Sequence, residues 1–125
     1  MLIVSPNYTK EGTANYPSNS HCEITIRFTE RVRLTFLEVS INDVPPCNDD
    51  YLQFFEGSTS SAAQIGSKWC GTIRPLPLYA KGKIMHLLFH SNHDDATGYG
   101  FKLLAESGKS MKIVLELQGI LLLND

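Results

Sequence analysis

The stretch Cys47-Asn48-Asp49-Asp50-Tyr51-Leu52-Gln53-Phe54-Phe55-Glu56-Gly57 constrains the fold of this chain more than any other. It opens on a cysteine, adds two carboxylates, runs on as an apolar segment and stops at a glycine. Side chains alternate along an extended backbone, so Leu52 and Phe54 face one side and Tyr51, Gln53 and Phe55 the other. Trp69-Cys70-Gly71 then supplies a second cysteine for the first to meet. These parts describe a crosslinked β-module with a charged loop at one end.

The other segments are also strands and turns. Residues 5–21 read as loop, with Pro6, Gly12 and Pro17 among short polar residues. Glu23 to Thr29 alternates cleanly, with Ile24, Ile26 and Phe28 on one face, as a half-buried antiparallel strand does. From Val32 to Ile41 the apolar phase switches from Val32/Leu34/Phe36 to Leu37/Val39/Ile41, which predicts a bulge near Phe36-Leu37. Pro45-Pro46 ends that run, because proline cannot donate to a central ladder. Gly57–Gly66 and Gly71–Pro77 read as loops, Ile84–Phe89 as a strand, Ser91–Gly100 as a polar loop and Phe101–Ala105 as the closing strand. The expected fold is an all-β antiparallel sandwich of jelly-roll type. Crossover helices are missing, so parallel βαβ units are excluded.

At 125 residues the chain suits one domain with a real core. A net charge of −2 offers no basic field for nucleic acid or an anionic membrane. Residues 107–125 stand apart: Gly108-Lys109-Ser110 reads as a linker, and Met111–Leu123 is apolar, either a strand or a short helix. That run falls short of the roughly 20 residues that span a bilayer, and Lys112, Glu116 and Gln118 interrupt it. Three cysteines leave one without an internal partner, a free thiol or an intermolecular bond.

Several motifs, taken in order, resemble the CUB family of extracellular β-sandwich domains. They are Ser5-Pro6-Asn7-Tyr8 with Asn15-Tyr16-Pro17, the run Cys47, Asp50, Tyr51, Leu52, Phe54, Gly57, then Trp69-Cys70-Gly71, Phe89-x-Ser91-Asn92 and Gly100-Phe101. The likeness covers residues 3–106, which sets a domain at 1–106 and leaves 107–125 as a non-family hydrophobic tail. The family pairs its four cysteines first with second and third with fourth. The resemblance therefore implies a Cys47–Cys70 disulfide and an unpaired Cys22, with the first cysteine and the N-terminal strand missing.

The resemblance also implies a calcium site at one end of the sandwich. Its ligand positions fall on Asn42, Asp50 and Asn92, and Tyr16 matches the tyrosine that steadies the site. Only Asp50 keeps a charge there. Asp43, Asp49, Asp94 and Asp95 lie one to three residues from the ligand positions, where they either compensate or form a solvated acidic rim, and Tyr16, Asp43, Asp49 and Asp95 are expected on the binding surface of that end. Calcium affinity follows ligand charge and rigidity. The expectation is no calcium, or weak binding, and a loop end held by Asp50 bonded to Asn42, Asn92 or Tyr16. No other cofactor is expected.

Chemistry is not indicated. His90-x-x-His93-Asp94-Asp95 holds possible metal ligands, but two histidines three apart suit a helical turn better than a strand end. No nucleophile elbow or phosphate-cradling loop is present. What the resemblance implies is a non-catalytic, extracellular or secreted recognition module. Its partners would be an extracellular protein or glycan and the other domains of a mosaic parent chain such as a multidomain protease. The alternatives are a stand-alone binder like the spermadhesins and a spacer beside a catalytic domain. Asn7-Tyr8-Thr9 is the one N-glycosylation sequon, and it lies in a loop.

Overall fold

The computed structural model describes residues 1–9, 14–95 and 97–108. Among the described residues seven strands are present: β1 (Leu2–Val4), β2 (His21–Arg27), β3 (Val32–Ser40), β4 (Tyr51–Phe55), β5 (Leu78–Tyr79), β6 (Ile84–His90) and β7 (Gly100–Ser107). They form two antiparallel sheets, ordered β1-β7-β3-β5 and β2-β6-β4. The sheets bury their facing sides against each other, as two half-apolar surfaces must.

The alternation read from the sequence decides which side chains enter the core. Met85, Leu87 and Phe89 of β6 meet Phe101, Leu103 and Ala105 of β7, and all six are buried. Leu52 and Phe54 enter from β4, and Val32, Leu34 and Phe36 from β3. The aromatic rings interlock edge to face: Phe36 sits 5.7 Å from Phe54, and Phe89 lies 5.1 Å from Tyr16 and 5.2 Å from Phe101. Cutting one of these large side chains to alanine costs about 3–5 kcal/mol.

The phase change in β3 is a bulge. Its register against β7 shifts between Phe36 and Glu38. The extra residue turns Val39 and Ile41 into the core that Phe36 already faces. Cys47 and Cys70 are bonded across a separation of 23 residues, and Cys22 is free. Closing a loop of that length stabilises by about 3 kcal/mol in the chain-entropy treatment.

Four details depart from the sequence reading. First, the N-terminal strand was expected to be missing, yet Leu2–Val4 is a strand, registered against Leu104, Leu103 and Lys102 of β7. Three apolar residues are enough to extend an existing sheet edge. Second, Leu78–Tyr79 pairs with Leu34 and Arg33, a two-residue strand too short to give a periodicity. Third, β2 begins two residues early, at His21. Fourth, Phe55 is buried although it lies on the face away from the sandwich core, where its ring sits 6.1 Å from that of His86. The apolar tail beyond Gly108 lies outside the described residues.

Candidate functional site

Asp50 stands one residue before β4, and at 1% exposure it is a buried carboxylate. Strand alternation puts it on the same inward side as Leu52. Burying an unpaired carboxylate is costly, so its oxygens need donors. Tyr16 donates its hydroxyl to Asp50 Oδ2 at 2.6 Å, and the Asn92 backbone N–H donates to Oδ1 at 3.0 Å. The Asn42 N–H in turn donates to the Tyr16 oxygen at 3.0 Å. One carboxylate thereby ties together three loops: the one before β2, the one between β3 and β4, and the one after β6.

Tyr16 was expected to belong to the binding surface; it is interior, at 1% exposure. Its ring packs on Phe89 and its hydroxyl satisfies Asp50, so it supports the surface from beneath. Burial, reinforced by the hydrogen bond to Asp50, pushes its phenol far above the ordinary tyrosine range.

Asp43 also turns inward on its own loop. Its Oδ1 accepts Val44 N–H at 2.8 Å, and its Oδ2 accepts Asp49 N–H at 2.9 Å and Asp50 N–H at 3.1 Å. Burial alone would raise this carboxyl, but the three backbone donors outweigh it and hold the group below the usual aspartate range. Asp43 therefore shapes the 43–50 loop. Asp49 and Asp95 are exposed. Asp94 is exposed too, and its N–H reaches the Asn92 side-chain oxygen at 3.2 Å. Asn42 is exposed and Asn92 half-buried. The structure thus gathers Asn42, Asp50, Asn92 and Tyr16 at one end, with the aspartates around them.

Three further residues hold this end, and single-residue patterns gave no role for them. Ser91 is buried, accepts the Ser20 N–H at 2.8 Å and donates to Pro17 O at 2.8 Å, which pins the Tyr16 loop to the end of β6. Ser5 accepts the Phe101 N–H through Oγ at 3.0 Å. Gly100 lies at φ +97°, where a Cβ would sit 1.8 Å from Ser5 Oγ, so no other residue fits without displacing that serine.

An open groove of about 550 Å³ adjoins this cluster, lined by Ile41, Asn42, Val44, Trp69 and Ile73. Val44 and Ile73 are 72% and 77% exposed, more than two branched aliphatic side chains need be. Among the described residues, Asp43 is the one charged residue in its wall.

The histidines divide. His86 is buried, with Nε2 2.7 Å from Glu23 and Nδ1 3.0 Å from the Thr25 hydroxyl. His21, His90 and His93 line a separate open recess. Among the described residues, no three His, Cys, Asp or Glu side chains converge as a metal-holding group.

This arrangement of strands, disulfide and acidic loop end has a family profile. The CUB domain profile matches residues 2–104. The chain belongs to the CUB domain family. Human procollagen C-endopeptidase enhancer 1 is 37% identical over 103 residues, covering 80% of this chain and 22% of that protein. Mouse tolloid-like protein 2 is 35% identical over 92 residues, covering 72% of this chain and 9% of that protein. This CUB domain therefore spans a small part of the curated relatives it matches. The second CUB domain of MASP-1, solved bound to Ca2+, superposes with a TM-score of 0.68 at 30% identity, over 85% of this chain and 90% of that one. The CUB domain itself is non-catalytic. Proteins that carry it are typically extracellular.

Proposed function

We propose that this CUB domain is a non-catalytic recognition module that binds an extracellular protein through its loop end. The observation that carries this reading is the juxtaposition of a rigid base and an exposed apolar groove. Three loops converge on buried Asp50, and beside them Val44 and Ile73 lie open to solvent. Preorganised loops bind with less ordering cost than mobile ones. Its small share of the relatives' length supports a place in a secreted or membrane-anchored mosaic protein, such as a multidomain protease.

We also propose that the loop end is held by hydrogen bonds and not by calcium. The family position calls for several hard anionic oxygens around a dication. Here Asp50 is the single carboxylate at the three ligand positions, and each of its oxygens already accepts a proton donor. Asp43, the nearest substitute, has both oxygens committed to backbone N–H groups. These residues do not fit the ion as arranged.

The binding reading is tested by affinity capture from extracellular fluid, with the Val44→Asp/Ile73→Asp double variant in parallel. A partner held by the unaltered domain and lost by the variant supports it. Equal capture by both would move the binding surface elsewhere.

A further inference from the structure

Among the described residues, the two sheets leave one side of the sandwich open. β1 is the edge strand of one sheet and β2 the edge strand of the other. Between them lies a cavity of about 300 Å³ whose walls include Ile3, Val4, Pro6, Cys22, Ile24 and Phe101. Phe101 belongs to the core, so the cavity reaches the interior. On the outer face of β1, Leu2 and Val4 are 58% and 48% exposed. An uncharged edge strand flanked by exposed aliphatic side chains is a template for pairing with another chain. β1 carries no charge, proline or bulge to prevent it.

The chain supplies a cover at this place. Ser5-Pro6-Asn7-Tyr8 is a hydrogen-bonded turn: Tyr8 N–H reaches Ser5 O at 3.1 Å, and Asn7 takes φ 60° directly after Pro6. Proline followed by a residue of positive φ is the pattern of a type II turn. Asn7 is exposed at its tip, one residue beyond the cavity wall, and it opens the sequon Asn7-Tyr8-Thr9.

We propose that Asn7 carries an N-linked glycan whose first sugars lie over the β1–β2 opening, closing the cavity and blocking the free edge of β1. In the transfer, the Asn7 side-chain nitrogen bonds to the anomeric carbon of a lipid-diphosphate-linked oligosaccharide. The carbon–oxygen bond to the diphosphate breaks, and the displaced amide proton leaves with that group. Pyranose rings suit the place, since their C–H faces cover aliphatic surface while their hydroxyls stay in water. A bulky, solvated group beside an edge strand also prevents strand addition.

Cys22, a free thiol in the cavity wall, reports on the cover. The full chain is secreted from a eukaryotic cell and compared with the same material after peptide:N-glycanase treatment and with Thr9→Ala, which keeps Asn7 but destroys the sequon. The readouts are intact mass, the native alkylation rate of Cys22 by a maleimide, and oligomeric state by light scattering. The expected result is a glycan on Asn7 and, because thiol reactivity follows exposure, Cys22 alkylation about five-fold faster in both unglycosylated forms. Those forms should also self-associate at concentrations where the glycosylated chain is monomeric. Unmodified Asn7 in secreted material would overturn the proposal. So would equal alkylation rates, or a glycosylated chain that still self-associates through β1.

Discussion

The hydroxyl of Tyr16 lies 2.6 Å from a carboxylate oxygen of Asp50, and both residues are 1% exposed. The pair is the keystone of the loop end. Tyr16→Phe would keep the ring against Phe89 but take one donor from a buried anion and leave Asn42 N–H without its acceptor. Hydrogen bonds to charged groups contribute about 1.5–3 kcal/mol, and the loss should fall in that range. Urea unfolding of the two proteins measures it.

The same pair sets the alkaline limit. Because the Tyr16 phenol is raised in the folded state, its contribution is complete below the ordinary tyrosine value and is lost as pH rises above about 10. Stability should fall with rising pH in that window. In Tyr16→Phe the fall should be shallower. Unfolding curves between neutral and strongly alkaline pH give the comparison.

Asp43 acts at the other limit. Its carboxyl is depressed in the folded state, so its contribution is present above the ordinary aspartate value and lost as pH falls below about 4. Asp43→Asn should flatten the acid limb of the stability curve and loosen the 43–50 loop. Amide hydrogen exchange at Val44, Asp49 and Asp50 should quicken in the variant.

Much of the fold was legible because strand periodicity is local. Met85, Leu87 and Phe89 share a face by alternation alone, and the Phe36-Leu37 phase switch marks the bulge. Leu78–Tyr79 and Leu2–Val4 were not legible, since segments of two and three residues carry no period and are strands only through their partners. At the site, Asn42, Asp50 and Asn92 could be aligned with the family pattern, and the structure brings them together with Tyr16. The inward turn of Asp43 was hidden: its acceptors serve backbone N–H groups six and seven residues on, and nothing in its residue type distinguishes it from exposed Asp49. The burial of Phe55 was hidden for a similar reason, because alternation gives the face of a side chain and not what packs over that face.

Gly100 tests how tightly the same loop end is packed. Gly100→Ala should destabilise the domain by about 1–3 kcal/mol, through both the left-handed backbone and the collision with Ser5. Ser5→Gly in the same chain, referred to Ser5→Gly alone to allow for the lost Phe101 N–H bond, should recover the collision part and leave the backbone part. Thermal unfolding of the single and double variants separates them.

Calorimetric titration of the folded chain with calcium is the most direct measurement of whether hydrogen bonds alone hold the loop end. No heat of binding is expected up to about one millimolar, the range of extracellular calcium modules. Asn42→Glu/Asn92→Asp, which adds two carboxylates beside Asp50 and so brings the ligand positions to three, should gain affinity. A dissociation constant well below one millimolar for the unaltered chain would contradict the hydrogen-bonded loop end. It would show that Asp43 or its neighbours abandon their backbone partners to hold the ion.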